Sequence, residues 1–481
     1  MEHLDVLIVG AGLSGIDAAY RVQTSCPGKS YAILESRDAM GGTWDLFRYP
    51  GIRSDSDMHT LGFPFRPWKN PKAIADGPSI LAYIHETAAE HGIDRKIRYG
   101  KRVVAAKWST GAARWTVDVR DVATGEITQL TASFLFLCVG YYDYEKGYTP
   151  DFPGRERFRG RIVHPQKWTP DVDWAGKRVV VIGSGATAVT LVPALSRDAA
   201  HVTMLQRSPT YIMSVPNRDP IAAWLRRKLP TSAADDAVRW KNVLLGMGIY
   251  AFSRKFPKRA KRVLLAHMKK QLGDEGHAVA KHFTPSYDPW DQRMCLVPDS
   301  DLFEAIRAGR VSVVTDRIDT FTERGIRLES GDELEADLIV TATGLNLKLF
   351  GGIAVDIDGR RVEPKDSLVY KGMMVSDVPN LAFAIGYTNA SWTLKCDLTA
   401  QYVCRLIRHM DDRGFKQCVA RRPERIDEEP LIDFSSGYVR RSIDSLPRQG
   451  ATVPWKLHQN YARDLLMIKH ARLTDDAMQF S

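Results

Sequence analysis

The stretch Phe158–Trp168, FRGRIVHPQKW, separates two glycine-rich segments, GAGLSG at residues 10–15 and GSGATA at residues 183–188. Each segment follows a short β-branched apolar run and precedes a helix-like pattern, which predicts a strand, a tight turn and a helix. Such a turn can hold the pyrophosphate of a dinucleotide at the N-terminus of its helix. The sequence therefore predicts an α/β fold with two Rossmann-like dinucleotide-binding domains, joined at residues 158–168.

The first turn has the residues that a dinucleotide needs. Gly10 permits the sharp bend, Gly12 allows a pyrophosphate to approach the backbone, and Gly15 allows the helix to pack on the strand. The next strand, SYAILE, ends at Glu35, whose carboxylate can accept hydrogen bonds from ribose hydroxyls. A carboxylate at this position disfavours a 2′-phosphate, so the site is predicted to bind FAD or NAD. Its candidate residues are Gly10, Gly12, Leu13, Ser14, Gly15 and Glu35.

A block rich in glycine and aromatic residues follows, over residues 41–55. Its composition predicts a rigid irregular loop, neither helix nor strand, that can line an aromatic ring. Composition alone favours the alternative that Trp44 and Tyr49 are core anchors and that Asp55 forms a turn. The candidate cofactor contacts in this block are Gly42, Thr43, Trp44 and Asp55.

The second turn differs from the first at the end of its following strand. That strand, HVTMLQRS, ends without an acid and has Arg207 and Ser208 instead. Arg207 can neutralise a 2′-phosphate and Ser208 can donate a hydrogen bond to it, which favours NADPH, although Arg207 can also be interpreted as a solvated surface charge. An NADPH site beside an FAD site implies hydride transfer from NADPH to a flavin. The candidate residues are Gly183, Ser184, Gly185, Ala186, Thr187, Ala188, Arg207 and Ser208.

Composition excludes several other classes of protein. The six cysteines form no C-x-x-C pair and no spacing suited to zinc, which argues against a dithiol enzyme and against a metal site. The N-terminal segment lacks the pattern of an export signal, and no apolar run approaches the roughly 18 residues that span a bilayer. We therefore expect a globular cytoplasmic protein with two to three domains.

Residues 215–290 are predicted to be a basic helical insertion, with segments such as IAAWLRRKLP and PKRAKRVLLAHMKKQLG. Such helices can lie on an anionic membrane or border an apolar substrate channel, but a solvated basic face is the favoured interpretation. Nucleic-acid binding is disfavoured because no recognised module contains this stretch. The predicted segments are 1–145 and 349–481 for the FAD-binding domain, 146–214 and 291–348 for the NADPH-binding domain, and 215–290 for the insertion.

The joint stretch fits the fingerprint F-x-G-x-x-x-H-x-x-x-W, and in this it resembles the Baeyer-Villiger monooxygenases, a family of class B flavoprotein monooxygenases. The second motif of that family is also present, within residues 41–44 and 49–55. The resemblance extends over nearly the whole chain. Within the family, it points most specifically to members that activate thioamides. It departs at Thr169, where Pro or Asp is usual. The fingerprint positions are Phe158, Gly160, His164 and Trp168.

This resemblance implies FAD and NADPH as cofactors and O2 as co-substrate. One oxygen atom would be inserted next to the carbonyl of a small hydrophobic ketone to give an ester, and sulfides and thioamides would also be oxidised. The resemblance leaves the native substrate and the oligomeric state open.

The resemblance also assigns roles to individual residues. Arg293 falls where the family has its catalytic arginine, and it would stabilise the negative charge that develops during oxygen insertion. Asp55 would orient Arg293. His164 would couple the two domains and not transfer a proton; from the residues alone, a structural histidine is the favoured interpretation. Gln292 stands where the family has a lysine that binds the NADPH phosphate, which leaves more of that task to Arg207 and Ser208.

The sequence leaves three other functions as alternatives. A flavin monooxygenase that oxygenates only nitrogen or sulfur has a related fingerprint without the tryptophan at position 168, and it would not need Arg293. A flavin-dependent reductase acting on disulfides or proteins would need a dithiol or a docking motif, and the sequence has neither. A non-enzymatic NADPH sensor is the most distant alternative.

Overall fold

The structure is a computed structural model, and it describes residues 1–292, 294–432, 434 and 436–481. The described helices are α1 Leu13–Ser25, α2 Thr43–Leu46, α3 Met58–Leu61, α4 Gly77–Glu90, α5 Ala186–Leu195, α6 Pro220–Lys228, α7 Thr231–Lys255, α8 Pro257–Leu272, α9 Val279–His282, α10 Asp301–Arg307, α11 Trp392–Arg413, α12 Gly437–Arg440 and α13 Tyr461–Asp464.

The described strands are β1 His3–Val9, β2 Tyr31–Leu34, β3 Ile97–Arg98, β4 Lys101–Ser109, β5 Arg114–Asp121, β6 Ile127–Leu137, β7 Tyr142–Gly147, β8 Arg161–Val163, β9 Arg178–Ile182, β10 His201–Gln206, β11 Ile212–Val215, β12 Cys295–Pro298, β13 Val311–Thr315, β14 Ile318–Phe321, β15 Gly325–Leu328, β16 Glu333–Glu335, β17 Leu338–Thr341, β18 Leu345–Leu347, β19 Ala354–Ile357, β20 Arg360–Arg361, β21 Val369–Tyr370, β22 Met374–Val375, β23 Leu381–Phe383, β24 Cys418–Ala420, β25 Glu428–Pro430, β26 Arg448–Gly450 and β27 Met478–Phe480.

The first sheet is built around β1, which pairs in parallel with β2 on one side and with β6 on the other. Its residues Val6, Leu7 and Ile8 are fully buried, as expected for a parallel strand that is covered on both faces. Helices α1 and α11 share a hydrophobic core with Val6 and Ile8 on one face, while Leu7 packs with Trp115 on the other. The strand order is β20-β19-β4-β5-β6-β1-β2-β3, and a branch of β23, β22 and β21 is attached through the pairing of β23 with β6.

The second sheet is parallel throughout, in the order β13-β10-β9-β17-β8. Its edge strand β8 lies inside the joint stretch, so the joint is part of this sheet. The predicted α/β fold with two Rossmann-like units is confirmed. The chain returns to the second sheet through β13 and β17 and to the first through β19 and β23, while the five segment boundaries stay a prediction.

The region between β11 and β12 is helical, as predicted, and consists of α6 to α9. Helix α8 buries Leu264, Met268 and Leu272 in the core that also contains residues of α5. Helix α7 is attached to the first domain, because Arg239 donates hydrogen bonds to the backbone oxygens of His59 and Gly62 at 3.2 and 2.8 Å. Among the helices of the described ranges, none is long and apolar enough to cross a membrane.

Two segments predicted to be irregular contain regular structure. Residues 43–46 form the single turn α2, which begins after Gly42 with a φ of +57°. Gly140 and the polar aromatic composition of residues 141–148 predict a loop after β6, but this segment contains β7, which pairs antiparallel with β18. Its partner lies about 200 residues away in the sequence, so no local pattern could reveal this pairing.

Candidate active site

The first glycine-rich turn is packed so tightly that side chains are excluded at two of its positions. A Cβ on Gly15 would lie 1.9 Å from the carbonyl oxygen of Gly10, and a Cβ on Gly10 would lie 2.5 Å from that of Cys138. At Gly12 a Cβ would meet the Gly42 backbone at ordinary distances, 3.6 Å from Cα and 3.9 Å from N. Packing therefore explains Gly10 and Gly15, whereas Gly12 lines a cavity in front of the turn.

Glu35 lies against this turn, as predicted. Its carboxylate accepts hydrogen bonds from the backbone N–H of Ala11 at 2.8 Å and of Arg37 at 2.9 Å, and the residue is only 6% exposed. Two backbone donors hold the carboxylate at the carboxyl ends of β1 and β2, where dinucleotides bind in open α/β sheets. Its negative charge suits ribose hydroxyls and opposes a 2′-phosphate.

A cavity of about 240 Å³, called the inner cavity below, lies between the first turn and helix α5. Its aromatic wall includes two tyrosines and a tryptophan that sequence analysis did not assign to the site. The Tyr141 ring stacks on Trp392 with centroids 4.9 Å apart and lies 4.4 Å from Tyr142. The tyrosines follow the carboxyl end of β6, which is a signal that could have identified them. Lining residues include Gly12, Ser14, Thr43, Trp44, Tyr141, Thr187 and Trp392.

The loop after α2 connects the two domains directly. A Cβ on Gly51 would lie 2.7 Å from Ala194 Cβ of helix α5, which shows how closely this loop packs on that helix. Arg53 donates to the backbone oxygen of Val189 at 3.4 Å and forms an ion pair with Asp301. Burial raises the pKa of the neighbouring Tyr49. With the two domains joined in this way, residues of both predicted dinucleotide turns line the inner cavity, Gly12 and Ser14 from the first turn and Thr187 from the second.

The second turn packs on the ATG turn at residues 342–344, since a Cβ on Gly183 would lie 2.3 Å from the carbonyl oxygen of Ala342. Ala188 is completely buried in the position of the third glycine. Ser184 Oγ donates to the backbone oxygen of Ser208 at 3.1 Å. At Gly185 a Cβ would have no atom within 4 Å. The space in front of α5 is therefore open, as binding of a pyrophosphate requires.

Arg207 and Ser208 are exposed at the end of β10. The residue before them, Gln206, is buried and donates to the backbone oxygen of His282 at 2.7 Å and to Thr315 Oγ1 at 2.9 Å. These bonds fix the strand end, so Arg207 is presented at the surface beside the second turn. The position suits recognition of a phosphate and is equally compatible with a solvated charge.

His164 of the joint stretch connects the second sheet to the ATG turn. Its Nδ1 accepts a hydrogen bond from the backbone N–H of Gln166 at 3.2 Å, so the proton of the neutral ring is assigned to Nε2, which lies 3.2 Å from the carbonyl oxygen of Gly344. Burial lowers the pKa of His164, which favours this neutral form. A Cβ on Gly147 would lie 2.1 Å from the imidazole ring. The ring therefore contacts β7 as well as the ATG turn.

The other fingerprint residues have packing roles. Phe158 is buried, and a Cβ on Gly160 would lie 2.5 Å from its ring. Trp168 makes an edge-to-face contact with Trp174 at 5.8 Å. Thr169, where the resemblance departs, accepts a hydrogen bond from Arg161 at 3.3 Å. These contacts hold the joint on the edge of the second sheet.

A second cavity, of about 680 Å³ and called the apolar cavity below, adjoins the inner one. Asp55, Ser56 and Ala390 line both cavities, so Asp55 lies where they meet. Arg293 lies outside the described residues, but its neighbours Trp290 and Met294 line the apolar cavity. No sequence motif marks the other residues that line this cavity. They include Met213, Val243, Leu245, Met247, Ile249 and Leu394.

The sequence matches the flavin-binding monooxygenase-like family over residues 56–230 and an NAD(P)-binding Rossmann-like domain over residues 8–76. It is 57% identical over 482 residues to the FAD-containing monooxygenase EthA of Mycobacterium tuberculosis, covering 100% of this chain and 98% of that protein. An oxidised steroid monooxygenase bound to NADP is 26% identical, with a TM-score of 0.71 and 88% of each chain covered. Cyclohexanone monooxygenase with bound ε-caprolactone is 19% identical, with a TM-score of 0.77 and 100% of each chain covered.

Proposed function

Because the chain belongs to the family of FAD-containing, flavin-binding monooxygenases, we propose that it is a Baeyer-Villiger monooxygenase acting on hydrophobic ketones. One oxygen atom of O2 would be inserted next to the ketone carbonyl to give an ester. The observation that carries this proposal is the junction of the two cavities at Asp55. It gives an apolar substrate direct access to a site that both dinucleotide turns border.

The residues at the two glycine-rich turns fit the two cofactors that the family uses. Gly12 exposes its backbone to the inner cavity in front of α1, and Glu35 supplies an acceptor for ribose hydroxyls, so this side suits FAD. Gly185 leaves room in front of α5, and Arg207 supplies a positive charge, so that side suits NADPH. Bound FAD would supply the redox chemistry, in which NADPH is the reductant and O2 is activated.

The proposed task of the protein is to stabilise negative charge where oxygen is inserted. Arg293 is the proposed donor of positive charge, in an apolar site where a cation acts more strongly than in water. Asp55, at the junction of the cavities, is proposed to orient Arg293. His164 is proposed to couple the domains, which its neutral form and its contact with Gly344 support.

The wall of the apolar cavity supports the proposed substrate class. Most of its surface is apolar, with aliphatic side chains of α7 and its surroundings, while polar side chains such as those of the Asp219–Lys241 ion pair, Asn389 and His458 line other parts of the wall. Its volume of about 680 Å³ lies within the range of small-molecule sites. We propose linear or aryl-alkyl ketones as substrates, with sulfides and thioamides as additional ones. Oxygenation of nitrogen or sulfur alone is the second candidate, since the matched family description does not distinguish it.

Product analysis tests this proposal. The FAD-loaded protein is incubated with NADPH, O2 and a panel of 2-alkanones, phenylacetone and thioanisole, and products are identified by gas chromatography and mass spectrometry. Ester or acetate formation is expected from the ketones. NADPH consumption with oxygenation of the sulfide only would move the protein to the second candidate function.

A pair of variants tests the role of Arg293. Arg293→Ala is expected to abolish ester formation while NADPH oxidation continues, because hydride transfer does not need this charge. Arg197→Ala, which removes an exposed arginine of the second domain, is the matched control and should retain both activities. Retained ester formation in Arg293→Ala would contradict the assigned role.

A further inference from the structure

Helices α6 and α7 expose large apolar side chains to solvent. Trp224 is 52% exposed and Leu244 is 58% exposed, and exposed apolar side chains that gather in one patch, unlike single ones, mark an interaction surface. Trp240 and Leu244 lie four positions apart, on neighbouring turns of α7, and the ring of Phe252 lies 5.7 Å from that of Phe256, which follows the end of the helix. We call this surface the docking face; it comprises Ile221, Trp224, Trp240, Leu244, Leu245, Phe252 and Phe256.

Positive charge is concentrated around the docking face. Between residues 218 and 262, twelve Lys and Arg side chains accompany three Asp, a formal net charge of +9, compared with +10 for the whole chain. Most of these basic side chains are exposed. They include Arg227 and Lys228 at the end of α6, Lys255 at the end of α7, and Lys258 and Arg259 at the start of α8.

The docking face also leads into the apolar cavity. Ile221 and Leu245 are each more than half exposed, and both line the cavity. Ala251, another exposed residue of α7, lines it as well. The apolar surface is therefore continuous from solvent into the cavity.

We propose that the docking face binds an anionic lipid bilayer. Its apolar side chains enter the boundary between headgroups and acyl chains, and its basic residues contact anionic headgroups. In this orientation the mouth of the apolar cavity faces the bilayer, so that lipophilic molecules enter from the membrane without crossing water. This delivery of substrate rests on the proposed function, whereas docking itself does not.

Charge complementarity selects the bilayer over other occupants. A second copy of the chain docked by the same face in a symmetric dimer would bring two clusters of charge +9 together. Nucleic acid would satisfy the charges, but its phosphate backbone offers no partner for a surface centred on Leu244 and Phe252. A bilayer with anionic headgroups matches both the charged rim and the apolar centre.

Co-sedimentation with lipid vesicles tests the proposal. The full-length, FAD-loaded protein is mixed with vesicles of phosphatidylcholine containing phosphatidylglycerol, or of phosphatidylcholine alone. We expect binding to the anionic vesicles at least about tenfold stronger than to neutral ones, since each basic residue near the surface contributes about fivefold. Equal binding to both vesicles, or binding to neither, would overturn the proposal.

Two variants and their matched controls locate the surface. Leu244→Ser with Phe252→Ser changes the apolar centre without changing a residue that lines the cavity, and Lys255→Gln with Lys258→Gln reduces the charge. Each is expected to weaken vesicle binding at least about tenfold. The control for the first is Ile127→Ser, an exposed apolar residue of the first sheet. Arg360→Gln with Lys365→Gln, also distant in the fold, is the control for the second.

Measurements in the absence of lipid separate docking from other causes. All variants should oxidise NADPH at the wild-type rate with a short, water-soluble ketone, which shows that they fold. If the variants change only the concentration dependence of self-association by light scattering, a second copy occupies the face and the proposal fails. Vesicle binding by a protein that forms no ester from any ketone would refute the proposed function and leave docking intact.

Discussion

Replacing Gly185 by alanine tests whether the second turn holds NADPH. The residue is exposed, its backbone at φ −78° and ψ −175° is allowed for every amino acid, and a Cβ would have no atom within 4 Å. The substitution is therefore not expected to change the free energy of unfolding by more than about 0.5 kcal/mol. Any effect on catalysis must come from the space in front of α5.

The expected magnitude follows from the hydrogen bonds that the added methyl group would disturb. A pyrophosphate held at the N-terminus of α5 accepts charge-assisted hydrogen bonds from backbone N–H groups, each worth about 1.5–3 kcal/mol. Loss of one such bond corresponds to roughly a 10- to 150-fold weaker binding of NADPH. We expect the KM for NADPH to rise by about that factor while the FAD content is unchanged.

Initial rates of NADPH oxidation give the KM, and the flavin absorbance of the purified protein gives the FAD content. Gly111→Ala is the matched control, because Gly111 is exposed in the turn after β4 and also has no atom within 4 Å of its Cβ position. Its KM should equal that of the wild type. An unchanged KM in Gly185→Ala, or a loss of FAD together with NADPH binding, would refute the assignment of the second turn.

Three further predictions concern the first turn and two buried titratable groups. Gly12→Ala should fold, because its Cβ would make only ordinary contacts. It should bind FAD at least about tenfold more weakly and be purified with a reduced FAD content. A full FAD content would contradict this prediction. Burial, and after it the charge of Asp397, raises the pKa of Asp17 well above its usual range. The folded protein therefore keeps a proton on Asp17 that the unfolded chain releases above about pH 4, so the free energy of unfolding falls as the pH rises beyond that value. Asp17→Asn should therefore gain in melting temperature relative to the wild type between pH 4 and 8, and a difference independent of pH would contradict this. Lys395 forms a fully buried ion pair with Asp464 at 2.8 Å, so Lys395→Met should lower the free energy of unfolding by about 3–5 kcal/mol in denaturant titrations, and a loss below about 1 kcal/mol would contradict the expected cost of an unpaired buried carboxylate.

Much of the fold could be predicted because its signals are local. The turn at residues 10–15 combines a buried strand, small residues and a helix within about 20 positions, and its packing on Cys138 explains why Gly10 has no substitute. Glu35 could be assigned for the same reason, since the next strand places it at a fixed distance along the chain. The placement of His164 against Gly344, by contrast, became visible only in the structure.

The rest of the site depends on contacts between distant segments. The Tyr141 ring stacks on Trp392, which lies about 250 positions away in the sequence. No pattern in either segment predicts that contact. The wall of the apolar cavity is assembled from α7, β12 and the segment before α11, each of which has an ordinary apolar pattern by itself. Asp55 was predicted as a cofactor contact, but its position between two cavities follows from the packing of the whole molecule.

The most direct test of the central claim is an intramolecular competition in one substrate. The FAD-loaded protein is supplied with NADPH, ¹⁸O₂ and 4-(phenylsulfanyl)butan-2-one, which contains both a ketone and a sulfide, and the products are analysed by mass spectrometry. A Baeyer-Villiger monooxygenase should form 2-(phenylsulfanyl)ethyl acetate with one ¹⁸O atom in the ester. Labelled sulfoxide with an intact ketone as the only product would contradict the account.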